Sequence, residues 1–240
     1  AQASRVSIPD TDAPEDIEAA RNHMFAIHEQ GFFNNTWISD PMILGSYPED
    51  GLSLFGADMP AMQDVDLATI NQPLDFFGAN IYSGRYVHAT PDEGVEKAMD
   101  RDQPVTAMGW PITPEALYWA PRFFHERYGL PIVITENGMA HDDRLDGGSI
   151  DDQPRIDFLQ SYLQHYTRAI AEGVPAKGYF LWSVMDNFEW AEGYSKRFGL
   201  IHVDYASQRR TLKASAHWYR SVIAANGGNL AGSFGQRSGR

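Results

Sequence analysis

Four short stretches hold residue types at spacings that could do chemistry. In "PIVITENGMA" (131–140) the apolar run Ile132-Val133-Ile134 ends at Thr135, and Glu136 follows, then Asn-Gly. A carboxylate at the exit of a buried strand points into the mouth of a sheet. The plainer reading is a solvated glutamate in an Asn-Gly turn. In "LWSVMDNFEWAEGYSKRFGL" Trp182 lies in a strand, Glu189 and Trp190 in the loop beyond it, and Tyr194 and Phe198 soon after. Sugars present apolar C–H faces that stack on rings and hydroxyls that need acceptors, so a carboxylate among aromatics suits sugar recognition. The competing reading is an aromatic mini-core with Glu189 exposed at its edge. In "FFGANIYSG" Asn80 and Tyr82 stand two apart in extended chain and share a face. A phenol there can donate a hydrogen bond to a nearby carboxylate and orient it; a capping Asn beside a core-edge Tyr is the alternative. "AMGWPITP" sets Trp110 between Gly and Pro, either as a stacking platform or as a loop anchor.

These residues need elements to hold them. "DAPEDIEAARNHMFAIHEQ" has Asp12 and Glu15 at capping-box spacing, Pro14 in the first turn, and Ile17, Ala20, Met24, Ile27 and His28 at helical spacing. A strand runs from about Asp75 to Asn80. "TPEALYWAPRFFHERYG" is a helix with Thr113 as cap and Gly129 as stop. "PIVIT" is a strand, and "DQPRIDFLQSYLQHYTRAIAEG" is a long helix with Ile156, Leu159, Leu163, Tyr166 and Ile170 on one stripe. "KGYFLWSV" is a strand and "RRTLKASAHWYRSVIAA" a closing helix. Helix-length crossovers between short apolar strands imply parallel pairing and α/β architecture. Another strand is expected in "SRVSIP", and long loops over Ser83–Ile112 and Phe188–Gln208 follow strand ends, where α/β barrels carry their sites. Residues 1–226 are expected to form one unit and the Gly- and Ser-rich 227–240 a flexible tail.

Composition narrows the function classes. The chain has 240 residues, of which 43% are hydrophobic and 21% charged, with a formal net charge of −13. That balance disfavours nucleic acid and anionic membrane as partners. There are no cysteines, which excludes disulfides, thiolate metal sites and a thiol nucleophile, and fits a cytoplasmic protein. "AQASRVSIPD" lacks the basic-then-apolar pattern of a signal peptide, and no window is long and apolar enough to span a membrane. The eight histidines show no paired ligand spacing, so no metal and no cofactor are expected. The acid-rich "DDRLDGGSIDD" (142–152) lacks the spacing of a calcium loop and reads as solvated.

Taken in order, the motifs resemble glycoside hydrolase family 1, the β-glucosidase family. "ITENG", "GYFLWSVMDNFEWAEGYSKRFGLIHVDY" and "DFFGANIYS" are similar to its seventh-, eighth- and sixth-strand signatures, and "TDAPEDIEAA" with "DPMILGSYP" to the segment after its fifth strand. The resemblance implies a (β/α)₈ barrel and retaining hydrolysis by two glutamates. By the same resemblance Glu136 is the nucleophile and Tyr82 its hydrogen-bond partner, with Asn80 on the same floor. Glu189 accepts two hydroxyls of the non-reducing sugar, Trp182 and Trp190 are aromatic walls, Phe198 stands at the same wall, and Trp110 lies under the leaving group. A carboxylate at Glu189 would repel a 6-phosphate. The family's Asn-Glu-Pro acid/base motif has no counterpart here, nor do its early Gln, His and Trp sugar contacts. The resemblance therefore implies half of a (β/α)₈ TIM barrel, about units five to eight, which completes a barrel with an N-terminal half that brings the acid. The expected ligand is a β-glucoside or short β-linked oligosaccharide; glucose, galactose and fucose suit these residues alike. The alternative is a non-catalytic sugar-binding or assembly half-barrel.

Overall fold

A computed structural model describes residues 1–90, 97–99 and 102–230. The chain runs β1 (Gln2–Ala3), β2 (Ser7–Pro9), α1 (Pro14–Phe25), α2 (Asn35–Ile43), α3 (Glu49–Phe55), α4 (Asp64–Ile70), β3 (Phe77–Asn80), β4 (Arg85–His88) and β5 (Lys97–Met99). It continues through α5 (Ala116–Tyr128), β6 (Ile132–Asn137), α6 (Gln153–Ala171), β7 (Ala176–Leu181), β8 (Ile201–Val203), β9 (Arg210–Leu212) and α7 (Ala214–Ala224).

The main sheet has the order β1-β3-β6-β7, all parallel. The crossover helices α5 and α6 cover one face, which is the parallel α/β arrangement that the alternation of strands and helices implies. Side chains show the two-residue period of a strand. Phe77, Ala79 and Ile81 are buried toward the helices, while Gly78, Asn80 and Tyr82 between them are only partly covered. Ile132 and Ile134 are fully buried and pack with Leu117, Phe123, Phe124 and Leu159 in one core. Burying such side chains stabilises by about 1.5–3 kcal/mol each. A second small sheet, β2-β4-β5, and the antiparallel pair β8-β9 lie beside the main one.

Several expectations are corrected. The Ser83–Ile112 stretch holds β4 and β5, and Phe188–Gln208 holds β8, so neither is a plain loop. The closing helix starts at Ala214; the preceding Arg210–Leu212 is strand β9. Helix α1 is capped by Ala13, not Asp12, and ends at Phe25, short of Ile27 and His28. Thr11 supplies the polar anchor instead, accepting from the Ala13 N–H at 3.1 Å and donating to Asp16 at 2.6 Å. Thr113 does not cap α5, whose N-cap is Glu115; its hydroxyl accepts the Gly84 N–H at 2.8 Å. Gly129 does end α5, at φ 68°. Ile170 departs from the buried stripe of α6 and is 43% exposed. The expected tail opens as a packed turn: Gly228–Leu230 is a 3-10 turn, with Leu230 against Leu163 and Val222. Residues 231–240 lie outside the described residues. No helix among the described residues is long and apolar enough to cross a membrane.

Candidate active site at the strand ends

Glu136 sits one residue before the end of β6. A bulge between Ala79 and Asn80 shifts the register so that Asn80 pairs with Glu136. The neighbour Asn137 is wholly buried and acts as a strut rather than a turn residue. Its side-chain amide donates to the Ile81 carbonyl at 2.8 Å, and its oxygen accepts the Tyr179 hydroxyl at 2.7 Å. Gly138 follows because nothing larger fits: a Cβ there would lie 1.8 Å from the Trp182 carbonyl oxygen. These two residues thread β6 closely past the end of β7 and fix where Glu136 stands.

Tyr82, just beyond β3, donates its hydroxyl to Glu136 Oε2 at 2.7 Å. Its own carbonyl accepts the Tyr162 hydroxyl of α6 at 3.0 Å, so its backbone is anchored from behind. Burial, then the hydrogen bond to and charge of Glu136, push the Tyr82 hydroxyl far above a free phenol, and Glu189 adds to the effect. The phenol is therefore a donor throughout the physiological range, and both carboxylates bear on it. Asn80 accepts from the Thr135 hydroxyl at 2.6 Å, which orients its amide at the same strand end.

Two further rings, Trp110 and Phe198, cluster with Tyr82. Tyr82 and Trp110 have centroids 5.1 Å apart, Tyr82 and Phe198 6.1 Å, and Trp110 and Phe198 6.0 Å. Phe198 is 1% exposed, so it backs the wall instead of facing the opening. Trp182 follows β7, donates its N–H to the Asn137 carbonyl at 2.9 Å and joins Ser183 through a cis peptide. Glu189 begins a 3-10 turn, Trp190–Glu192; its Oε2 is buried with no hydrogen-bond partner. A buried carboxylate oxygen without a donor is costly, and a ligand hydroxyl would relieve that cost. Trp190 is 80% exposed with φ 43°, so it stands out from the ring cluster that the other aromatics form.

A buried ion cluster holds the Trp182–Leu200 loop from beneath. Asp186 Oδ1 accepts from Lys213 Nζ at 2.8 Å and from the Gly199 N–H at 3.0 Å, and Oδ2 accepts from Arg197. Arg155 donates to Asp143 at 2.9 Å, to Asp152, and to the Arg197 carbonyl at 2.8 Å, immediately before Phe198. Lys213 also pairs with Asp143. Asp143, Asp152, Asp186 and Lys213 have no exposed side-chain surface. The acid-rich 142–152 segment is thus not simply a solvated loop: Asp143 and Asp152 are wholly buried ion-pair members. Gly199 passes so close that a Cβ would lie 2.2 Å from the Asp186 nitrogen. Lys196 ties the same loop to the Trp110 loop, donating to the Ala107 carbonyl at 2.6 Å. Asn137, Asp186, Arg155 and Lys213 are supports of the site whose role no motif in the sequence marks. The hint for Lys213 was a lone Lys between apolar neighbours, which alone does not distinguish a buried cation from a surface one.

A family model described as glycosyl hydrolase family 1 matches residues 2–228. The 1,4-β-D-glucan glucohydrolase of Thermotoga neapolitana is 44% identical over 222 residues, covering 91% of this chain and 49% of the relative. The bifunctional β-D-glucosidase/β-D-fucosidase of Bifidobacterium breve is 41% identical, with 87% and 50% covered. Among solved structures, the family 1 β-glucosidase of Thermotoga maritima superposes with a TM-score of 0.77 at 42% identity, covering 93% of this chain and 50% of that one. The same enzyme in complex with deoxynojirimycin gives 0.78 with 94% of this chain covered. The chain spans about half the length of the relatives it matches.

Proposed function

The chain belongs to glycosyl hydrolase family 1, and from that premise we propose that it is the nucleophile-bearing half of a retaining β-glucosidase, about units five to eight of a (β/α)₈ barrel. The observation that carries this reading is the 2.7 Å bond from Tyr82 to Glu136 with Glu189 bearing on the same phenol. Glu136 attacks the anomeric carbon as the glycosidic C–O bond breaks, and the departing oxygen takes a proton from an acid. Water then attacks the same carbon as its bond to Glu136 breaks, leaving its hydroxyl on the sugar and its proton on the group that first gave one up. Tyr82 keeps one Glu136 oxygen occupied, so the other faces the sugar. The orphan oxygen of Glu189 accepts sugar hydroxyls, and Trp182 and Trp110 supply ring faces.

No Asn-Glu-Pro occurs in the chain. The acid therefore comes, in this reading, from an N-terminal half that sets a second glutamate about 5 Å from Glu136, the separation for retention. Support for such a partner lies at the sheet margins. Among the described residues β7 and β1 each pair on one side only, and Phe180 in β7 and Val184 just beyond it are both 62% exposed. Bare edges and apolar surface of that kind call for a covering partner.

The test is mechanism-based labelling of the assembled protein with a 2-fluoro-glucoside. A covalent adduct on Glu136, lost in Glu136→Gln, is expected. An assembled, folded protein that binds glucoside yet never acquires the label would leave only the sugar-binding alternative.

A further inference from the structure

A cleft of about 720 Å³ opens beside Trp110 and is lined by Arg5, Arg85, His23, His28 and Glu29 among others. Its walls come from separate elements: Arg5 joins β1 to β2, Arg85 opens β4, and the two histidines belong to α1 and its exit. The chain carries 32 acidic against 19 basic side chains, so gathering cations here runs against its overall balance. The single carboxylate among these five residues, Glu29, is paired with Arg5. Arg85 is exposed, and its guanidinium has no hydrogen bond or ion pair among the described residues. The ring of His23 accepts or shares a proton with the Ser7 hydroxyl at 2.9 Å. Burial first, then the charges of His28, Arg85 and Arg5, lower its pKa to about 4. Arg5 thus has its counter-charge in Glu29, while Arg85 has none among the described residues.

We propose that this cleft is a selecting subsite for leaving groups that carry a carboxylate, with Arg85 as the counter-charge and Trp110 as the ring against which an aromatic or sugar leaving group lies. A guanidinium fork matches a carboxylate with two parallel bonds. One free guanidinium balances one negative charge, which fits a carboxylate better than a dianionic phosphate. His28 adds a ring nitrogen at the rim. The route from this subsite to the reacting bond rests on the glycosidase reading above; recognition of the free acid does not.

Binding is measured on the chain itself, which carries every named residue of the cleft, and hydrolysis on the chain supplied with an N-terminal half. The chain is titrated with 4-hydroxybenzoate and with the neutral isostere 4-hydroxybenzamide, followed by tryptophan fluorescence and calorimetry. The acid binds about tenfold more tightly than the amide, the increment of one charge-assisted bond. The ratio falls to about one in Arg85→Gln, stays in Arg209→Gln, which removes a cation outside the cleft, and shrinks as salt is raised. Equal binding of the two compounds, or a preference that survives Arg85→Gln, overturns the proposal. Hydrolysis of the matching 4-carboxyphenyl and 4-carbamoylphenyl β-glucosides is read alongside. A binding preference with neither glucoside hydrolysed supports the cleft and removes the glycosidase reading instead.

Discussion

The Tyr82 hydroxyl is buried against Glu136, and both circumstances push its ionisation well above that of a free phenol. The sign follows from which form is disfavoured: a tyrosinate would be a buried anion beside a second anion. Tyr82 consequently donates at neutral and moderately alkaline pH. Tyr82→Phe removes a single hydrogen bond to a charged group, worth about 1.5–3 kcal/mol. The expected result is a fall in kcat/KM of roughly 10- to 150-fold on an aryl glucoside, with the fold intact by circular dichroism. A change under threefold would mean that the bond does not orient a Glu136 oxygen for attack, as the proposed mechanism requires. Glu189 tells a similar story at the level of one atom. Its buried Oε2 is left without a donor, which is tolerable where an incoming hydroxyl completes the set. The sequence pointed to Glu136, Tyr82 and Glu189 through residue type and motif. It could not tell that Phe198 is sealed behind the wall or that Trp190 stands in solvent, because both are decided by the path of a loop.

At the scale of elements, the loop from Trp182 to Leu200 has little regular structure, yet it carries Trp182, Glu189, Trp190 and Phe198. It is tied down from α6 and α7, which deliver Arg155 and the adjoining Lys213 to Asp143 and Asp186. Burial pushes the Asp143 carboxyl up, but Arg155 and Lys213 outweigh it and hold the group below the usual carboxylate range. Burial pushes Lys213 the other way, lowering its pKa. For Asp143 the unfolded chain takes up its proton near pH 3.8, before the folded one does. The stabilisation is thus present above about pH 4 and lost as the pH falls through the folded value. Asp143→Asn is expected to cost about 3–5 kcal/mol at pH 7, since it leaves buried cations short of one counter-charge. Its unfolding midpoint should also vary less than the parent's below pH 4. Urea titrations at several pH values check both, and an acid limb as steep as the parent's would show that Asp143 does not carry it. This support was illegible in "DDRLDGGSIDD", where the same letters describe a solvated loop and a buried cluster. Only the convergence of α6, α7 and the β7 loop distinguishes them.

For the molecule as a whole, the main sheet among the described residues stops at β7, with Phe180 exposed on its outermost strand. If an N-terminal half closes a barrel, that side chain is buried in the assembly. Burying a Phe side chain is worth about 1.5–3 kcal/mol, so Phe180→Lys should weaken association roughly tenfold or more. Analytical size exclusion and regained glucosidase activity against concentration of the second half measure this. An unchanged association constant would place the contact elsewhere.

The sequence by itself determined the strands and helices whose apolar period is long: β6, the length of α6, and the Gly129 stop of α5. It also determined the family, because "ITENG" and the 182–200 motif carry their identity in consecutive residues. Tertiary structure alone decided what non-consecutive residues do to one another. The β3–β6 bulge that brings Asn80 opposite Glu136, the Gly138 contact with the Trp182 carbonyl and the gathering of cations beside Trp110 all join segments tens of residues apart. Local propensity sees only neighbours along the chain, whereas burial and charge depend on distance in space.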